Sequence, residues 1–242
     1  MGPRLAWQGS LFDSGPTDVD ASFARLRRIT LDERCWVDYC PAWLAGSDEL
    51  FAQLLARGQW RQRELWMYDR KVREPRLTAG WTVGDANTPI RSWARYAQAD
   101  AEEDQGRADA GASSTPEILR RIAEVLSRRY DVTLDSIWVN LYRDGGDSVA
   151  WHGDRNAKVL TNPLVVTVSL GSRRRFLLRR KGTTTTSHRL DPGHGDLVVM
   201  GGACQHDWEH CVPKTAKAVG PRMSVTIRHS TPAAGKREIR PT

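Results

Sequence analysis

Two amphipathic helices are predicted in the first half of the chain from apolar residues that recur at helical spacing. The first follows Ser47 and Asp48, which suit a helix N-terminus, and ends before Gly58, a typical stop. The second starts at Thr115 and Pro116 as N-cap and first helical residue. The apolar stripes consist of Leu50, Leu54 and Leu55 in the first helix and of Ile118, Ile122, Val125 and Leu126 in the second. Both helices are expected to pack on one outer face of another layer.

From Ile137 onward the pattern changes to short, β-branched segments separated by turns, which is typical of strands. Residues 138–154 predict a strand, a turn at Gly145 and Gly146, and a short return strand. Further strands are predicted at residues 164–170, 174–180, 197–200 and 222–228, and an upstream strand at 60–68. Many short strands joined by turns indicate a sandwich or barrel, so the predicted fold class is α+β and mainly β.

The chain is predicted to consist of three parts. Residues 1–45 form an N-terminal extension, in which a short helix is expected over residues 21–28. Residues 46–230 form the main domain, with a β-rich core at about 137–230. Residues 231–242 are polar and are expected to be a frayed tail.

Composition narrows the range of partners. The 242-residue chain has a formal net charge of +7, which favours a polyanionic partner, above all nucleic acid. The net charge alone is explained nearly as well by a basic protein that binds no polyanion. No apolar run is long enough to cross a bilayer and no signal peptide is recognisable, so a cytoplasmic protein without membrane association is expected. The four cysteines are expected to be free thiols.

The return strand ends in a candidate metal site. His152 and Asp154 are two positions apart, so in an extended chain their side chains share a face. An imidazole and a carboxylate, with one further histidine, make the facial triad of non-haem Fe(II) oxygenases. The third ligand stays open at this point, because His206 and His210 would share a face of a strand. A zinc cluster of Cys204, His206, His210 and Cys211 is the alternative, although its spacing matches no common zinc finger.

The last predicted strand, residues 222–228, carries a polar face. Its polar residues are Arg222, Ser224, Thr226 and Arg228, and its apolar residues are Met223, Val225 and Ile227. Guanidinium groups on an interior strand are costly unless anions satisfy them, and arginine pairs well with carboxylates. A dicarboxylate cosubstrate would meet this need, with further donors from Asn140 and Tyr142. The alternative is an edge strand with solvated arginines.

Taken together, these residues resemble the AlkB-like Fe(II)/2-oxoglutarate-dependent dioxygenases over roughly residues 65–230. The matching segments, in the family's order, are N-L-Y at 140–142, W-H-G-D at 151–154, S-L-G-S at 169–172, G-D-L-V-V-M at 195–200, W-E-H-C-V-P-K at 208–214 and P-R-M-S-V-T-I-R at 221–228. E-P-R-L-T-A-G-W at 74–81 looks like the family's upstream lid, which would span about residues 60–100. The resemblance implies a double-stranded β-helix, or jelly roll, with helices on one outer face and an upstream nucleotide-recognition lid.

The resemblance also implies roles for particular residues. Fe(II) would be bound by His152, Asp154 and His210, the last because the family's ligand precedes a proline by three positions. The 2-oxoglutarate site would include Asn140, Tyr142, Arg222, Ser224 and Arg228. The implied activity is oxidative demethylation of N-alkylated bases such as 1-methyladenine and 3-methylcytosine in DNA. It would use Fe(II), 2-oxoglutarate and O₂ and release succinate, CO₂ and formaldehyde.

Substrate contacts are expected from the lid and from the residue two positions after the metal aspartate. Because the target base must be flipped or already single-stranded, an aromatic platform is needed, and Trp81 is the first choice. The other candidates are Arg76, Tyr68 and Asn156, the last standing where the family often has an acidic residue. Basic residues at 173–175 and 179–181 are a candidate phosphate track.

The predicted partner is nucleic acid, DNA rather than RNA, and the protein is expected to be a monomer. Two alternatives remain. One is a 2-oxoglutarate oxygenase that acts on RNA, such as tRNA, or on a protein, and the other is a non-catalytic nucleic-acid-binding module.

Overall fold

The protein is described by a computed structural model that covers residues 5, 9, 15–67, 69–82, 115–154 and 160–229. In these residues the upstream strands are β1 (Asp18–Val19), β2 (Arg27–Thr30), β3 (Cys35–Cys40), β4 (Leu44–Ala45), β5 (Glu64–Met67), β6 (Arg70–Arg73) and β7 (Leu77–Thr82). The downstream strands are β8 (Leu134–Tyr142), β9 (Val149–His152), β10 (Val165–Gly171), β11 (Phe176–Arg180), β12 (His188–Leu190), β13 (Asp196–Gly202), β14 (Trp208–Val212) and β15 (Arg222–His229). The helices are α1 (Ser47–Arg57), α2 (Glu117–Tyr130) and α3 (Cys204–Asp207).

The strands form two main antiparallel sheets. The larger has seven strands in the order β2-β3-β13-β10-β15-β8-β7, and the smaller has four in the order β12-β11-β14-β9. Two short pairs, β1-β4 and β5-β6, complete the described strands. This mainly-β architecture with two stacked sheets fits a jelly-roll fold.

Three layers enclose two apolar clusters. The first cluster joins one face of the seven-stranded sheet to both long helices, through residues such as Phe51 on α1 and Ile122 on α2. The second joins the opposite face of that sheet to the four-stranded sheet, through residues such as Val198 on β13 and Leu178 on β11. Each sheet face therefore buries its apolar residues against a different layer.

Helix α1 begins at Ser47 and ends at Arg57 with Gly58 as its C-cap, as predicted, although its N-cap is Gly46 in the left-handed region. Helix α2 runs to Tyr130, with Pro116 as its N-cap where Thr115 was predicted. No helix of the described segments is long and apolar enough to span a bilayer.

The N-terminal segment differs from its prediction. Residues 21–28 were expected to include a short helix, but they form turns that lead into β2. Strand β3 then pairs with β13 from Cys35 opposite Gly202 to Cys40 opposite Leu197. The domain boundaries stay a prediction, but residues before position 45 supply two strands of the larger sheet.

Candidate active site

Two histidines meet where β14 pairs with β9. His152 lies opposite His210 in this pairing, and their ring centroids are 4.3 Å apart. The ring of His210 also stacks on Phe176 of β11 at 5.2 Å. The same pairing places both imidazoles on the inner side of the four-stranded sheet, where His210 is buried.

Asp154 is held in place by helix α3. Its backbone N–H donates to Oε1 of the buried Gln205 at 2.9 Å. A Cβ at Gly153 would approach the carbonyl oxygen of Gln205 to 2.7 Å, so only glycine allows the chain to pass this close. The sequence did not point to Gln205, because its role follows from the position of α3 and not from its spacing to the histidines.

Asp154 forms an ion pair with Arg228 of β15. Arg228 Nη2 donates to Asp154 Oδ1 at 2.5 Å. Burial raises the pKa of the Asp154 carboxyl, but Arg228 and the two neighbouring histidines together outweigh it, so the pKa lies below its ordinary value. The carboxylate is therefore ionised at neutral pH.

Both imidazoles suit a metal ion. Burial, followed by the neighbouring His152 and Arg228, lowers the pKa of His210 to about 3, so this ring is neutral and can offer a nitrogen lone pair. Nδ1 of His152 lies 2.8 Å from the carbonyl oxygen of Ala150. If Nδ1 carries the proton of this hydrogen bond, Nε2 keeps its lone pair, which is the usual arrangement for a metal-binding histidine.

The three predicted ligands lie near one another, but their side chains do not surround a single metal position. In the part of the chain that the structure describes, no three His, Cys, Asp or Glu side chains form a finished metal cluster. One oxygen of Asp154 is paired with Arg228, while the other, Oδ2, is buried without a hydrogen-bond partner among the described residues. An ionised carboxylate with an orphaned oxygen, next to two imidazoles, is the donor set that non-haem Fe(II) uses, so the residues fit this metal.

The alternative zinc cluster is not formed among the described residues. His206 lies on α3, and its Nε2 is 2.9 Å from the carbonyl oxygen of Leu160. Burial raises the pKa of the Cys204 thiol to about 12 and that of Cys211 to about 11, so neither is a thiolate at neutral pH. Of the two candidate third ligands, the structure places His210 and not His206 beside His152.

A buried arginine lies on the same polar face of β15. β15 is flanked by β10 and β8, so the alternative of a solvated edge strand is wrong. Arg222 is 1% exposed and donates from Nε to Ser169 Oγ at 3.0 Å. Its Nη1 and Nη2 are buried without a hydrogen-bond partner among the described residues. A guanidinium with two such nitrogens has the geometry that suits a carboxylate.

The other predicted cosubstrate residues lie on the strand beside it. Tyr142 is opposite Arg222, and Asn140 is opposite Ser224. Arg222 lies 5.3 Å from the ring centre of Tyr142, whose hydroxyl pKa is raised by burial. The register thus brings the four side chains onto neighbouring rungs of one sheet.

The predicted stacking residue is corrected by the structure. Trp81 is only 4% exposed and packs in the cluster between the seven-stranded sheet and the helices. It shares a face of β7 with Ala79, which belongs to the same cluster. Trp81 is therefore a core residue and cannot stack on a base.

Arg76 lies near the cosubstrate residues and not at an open surface. It donates to Asn140 Oδ1 from Nε and to the carbonyl oxygen of Ser148 from Nη1, both at 3.3 Å. Its Nη2 is paired with Glu74 at 2.8 Å. The remaining predicted substrate residues, Tyr68 and Asn156, lie outside the described residues.

An exposed aromatic side chain lies on the hairpin formed by β5 and β6. Trp66 is 69% exposed, and the ammonium of Lys71 lies 5.7 Å from its ring centre. Exposed Arg70 and Arg73 lie on the same hairpin. The exposure of Trp66 could not be predicted from the sequence, because local composition does not separate a hairpin from a strand of the main sheet.

The predicted phosphate track is partly wrong. Arg174 is 3% exposed and donates to the carbonyl oxygens of Asp144, Asp147 and Pro213. Burial lowers the pKa of this guanidinium. Arg174 therefore ties loops together inside the protein and is not available to a phosphate.

Comparison with known proteins agrees with this architecture. The sequence model of the 2OG-Fe(II) oxygenase superfamily matches residues 38–228, so the chain belongs to this superfamily. Membership implies an oxygenase that uses Fe(II), 2-oxoglutarate and O₂, as the sequence predicted.

Relatives within this class confirm the predicted resemblance to AlkB-like proteins. The chain is 30% identical over 190 residues to alpha-ketoglutarate-dependent dioxygenase alkB homolog 3 of Homo sapiens, covering 75% of this chain and 61% of that protein. It is 32% identical over 133 residues to DNA oxidative demethylase ALKBH2 of Arabidopsis thaliana, covering 44% and 42%. The chain thus spans less than two thirds of the length of these relatives. The solved structure of OsALKBH1 shares the fold, with a TM-score of 0.56 at 16% identity, and covers 84% of this chain and 100% of that one.

Proposed function

We propose that this protein is an oxidative demethylase of N-alkylated bases, such as 1-methyladenine and 3-methylcytosine, in DNA. The observation that carries the proposal is the polar face of β15, where Arg228 reaches Asp154 and buried Arg222 has two unpaired nitrogens. Around this face lie two paired histidines and a set of hydrogen-bond donors, which is what a metal ion and a dicarboxylate require. The names of the relatives support a nucleic-acid substrate.

The proposed metal ligands are His152, Asp154 and His210. Fe(II), 2-oxoglutarate and O₂, when bound there, supply the oxidising chemistry that hydroxylates an N-methyl group and leads to succinate, CO₂, formaldehyde and the free base. Asp154 provides the negative charge, held ionised beside Arg228. Burial keeps His210 neutral. These residues fix the reacting centre, and the sheet around it excludes water.

The proposed cosubstrate site extends from Arg228 to Arg222. Arg222 would bind one carboxylate of 2-oxoglutarate with its two unpaired nitrogens, while Arg228 would face the other end near Asp154. Asn140 Oδ1 already accepts hydrogen bonds from Arg76 and from Trp138 Nε1. Its amide nitrogen is therefore the group that would face the cosubstrate.

The hairpin of β5 and β6, followed by β7, is the proposed lid. An exposed tryptophan with basic neighbours suits a single strand of nucleic acid, because bases stack on the ring and phosphates pair with the cations. Trp66 would take the stacking role that was predicted for Trp81. Strand β7 links this hairpin to the core through its pairing with β8.

The proposal is tested by measuring succinate and formaldehyde from oligonucleotides that contain 1-methyladenine or 3-methylcytosine. Single- and double-stranded DNA and matched RNA are compared, with Fe(II), 2-oxoglutarate and O₂ present. We expect succinate and formaldehyde in equal amounts. Their formation should be lost in His210→Ala and retained in His206→Ala. Succinate without formaldehyde on every oligonucleotide would point to another substrate, and failure to bind Fe(II) would contradict the enzyme assignment.

A further inference from the structure

Arg179 connects the two strands that carry His152 and His210, on the opposite face of the four-stranded sheet. In the pairing of β11 with β14, Leu178 lies opposite His210 and Arg179 lies opposite Glu209. Because side chains alternate along a strand, Arg179 and Glu209 point away from the site. Trp151 likewise precedes His152 and points to the outer face.

The guanidinium of Arg179 contacts both of these outer residues. Its Nε and Nη2 donate to Glu209 Oε2 at 2.9 and 2.8 Å. Its central carbon lies 4.3 Å from the ring centre of Trp151, within the range of a cation–π interaction. The side chains of Arg179 and Glu209 are 20% and 21% exposed. One half-buried cation thus joins the residue before each histidine.

Strand β9 depends on such a contact more than its neighbours do. It has four residues, forms the edge of the four-stranded sheet and pairs only with β14 in that sheet. The pairing is irregular between His210 and Val212, so few regular rungs fix the position of His152. An edge strand with a short ladder can shift relative to its neighbour.

We infer that Arg179 is a positioning residue for the metal site, which sets His152 relative to His210 through Trp151 and Glu209. This inference rests on the proposed assignment of the two histidines as Fe(II) ligands. Lysine could keep the charge of Arg179, but it has no planar fork to pair with Glu209 while covering the ring of Trp151. Arg179 touches neither substrate nor the reacting atoms, so its effect is expected first in metal binding.

The experiment measures binding of Fe(II) and 2-oxoglutarate under anaerobic conditions, by titration and by the visible charge-transfer band of the complex. Arg179→Met is compared with Arg189→Met, a matched control. Arg189 lies opposite Leu177 in the same sheet and pairs with Asp191 at 2.8 Å, away from both histidine strands. We expect Arg179→Met to weaken Fe(II) binding by about 10- to 100-fold, the range for residues that orient metal ligands. Arg189→Met should bind as the wild type does.

A spectroscopic readout separates positioning from general stability. If Arg179 positions the ligands, the charge-transfer band of metal-bound Arg179→Met shifts or broadens. Arg179→Lys should restore the wild-type band only in part. If Arg179→Met does not fold, Trp151→Leu and Glu209→Gln each remove one contact and are measured in its place.

Two results would overturn the inference, and they are distinguishable. Wild-type affinity and an unchanged band in the variants would reject the role of Arg179 alone. A wild-type protein that binds no Fe(II) would reject the proposed function, and the inference with it.

Discussion

Arg228 Nη2 donates to Asp154 Oδ1 at 2.5 Å, although 74 positions separate the two residues in the sequence. The contact joins β15, an inner strand of the seven-stranded sheet, to the segment that follows β9, an edge strand of the four-stranded sheet. The carboxylate proposed to bind the metal is thus already paired with an arginine proposed to bind the cosubstrate. Any change at Arg228 should therefore affect metal and cosubstrate binding in different directions.

Arg228→Met is expected to weaken 2-oxoglutarate binding. Fe(II) binding, measured without 2-oxoglutarate, is expected to be at least as strong as in the wild type. The variant loses a charge-assisted hydrogen bond to the cosubstrate, worth about 10- to 100-fold in affinity, but it also removes a cation that competes for Asp154. Anaerobic titrations with Fe(II) and then with 2-oxoglutarate separate the two effects. Loss of Fe(II) binding together with normal 2-oxoglutarate binding would contradict this account.

Arg222→Met is expected to stabilise the ligand-free protein and to abolish its stabilisation by 2-oxoglutarate. Arg222 is a buried cation with two unpaired nitrogens, and an apolar residue of similar size avoids its desolvation cost. The expected gain is up to about 4 kcal/mol in the free energy of unfolding. Thermal melts with and without 2-oxoglutarate measure both effects. A variant that melts lower and still responds to 2-oxoglutarate would show that the guanidinium is structural.

Gly153→Ala is expected to weaken Fe(II) binding by about tenfold or more, because the new Cβ displaces the chain that carries Asp154. The obstacle is the backbone oxygen of Gln205, at 2.7 Å from an ideal Cβ, and backbone cannot move aside cheaply. Gly15→Ala is a matched control, since a Cβ there meets no atom of the described residues within 4 Å. Equal metal affinity in the two variants would show that the Asp154 segment tolerates the shift.

Trp66→Ala is expected to reduce affinity for single-stranded DNA by about tenfold, the loss of one stacked base, without lowering the melting temperature. Trp81→Ala is the contrasting variant, because it empties a core site and should cost about 3–5 kcal/mol of stability. Fluorescence anisotropy with a labelled oligonucleotide and thermal melts measure the two quantities. Unchanged DNA affinity in Trp66→Ala would remove the hairpin from the proposed interface.

Asp147→Asn is expected to destabilise the protein most at neutral pH. Burial raises the pKa of Asp147, but hydrogen bonds from the backbone N–H and guanidinium of Arg143 outweigh it, so the folded-state pKa is depressed. Because the pKa is lower in the folded state, the ionised carboxylate stabilises the fold at pH values above the unfolded-state pKa of about 4. This stabilisation is lost as the pH falls through the folded-state pKa. The expected difference is about 1–3 kcal/mol at pH 7 and narrows toward acid pH. Unfolding of both proteins in denaturant across this range measures it, and a constant difference would contradict the assignment.

The polar face of β15 could be predicted from the sequence because the alternation is local. Met223, Val225 and Ile227 pack in the core on one face, as predicted, and the arginines lie on the other. The same rule applied to β7 would have placed Trp81 beside Ala79 in the core. The resemblance of residues 74–81 to a lid segment predicts an exposed Trp81, whereas the alternation of β7 places it in the core, as the structure does.

Other features depend on contacts that no local pattern contains. The role of Gln205 requires the position of α3 against Gly153, and the contact of Arg179 with Trp151 requires the order of three strands. The membership of β3 in the larger sheet requires its pairing with β13, far along the chain. In each case the residue types are ordinary, and only the fold brings them together.

The pairing of β3 with β13 has a consequence during protein synthesis. Tyr39 on β3 donates to Asp196, the first residue of β13, across 157 positions. At about 5–20 residues per second, β3 waits roughly 10–30 s on the ribosome before its partner is made. During this time it presents an unpaired edge and the apolar residues Val37 and Cys40, which are fully buried in the finished sheet. The nascent chain should therefore be most prone to aggregation, and most dependent on chaperones, before its last quarter has emerged.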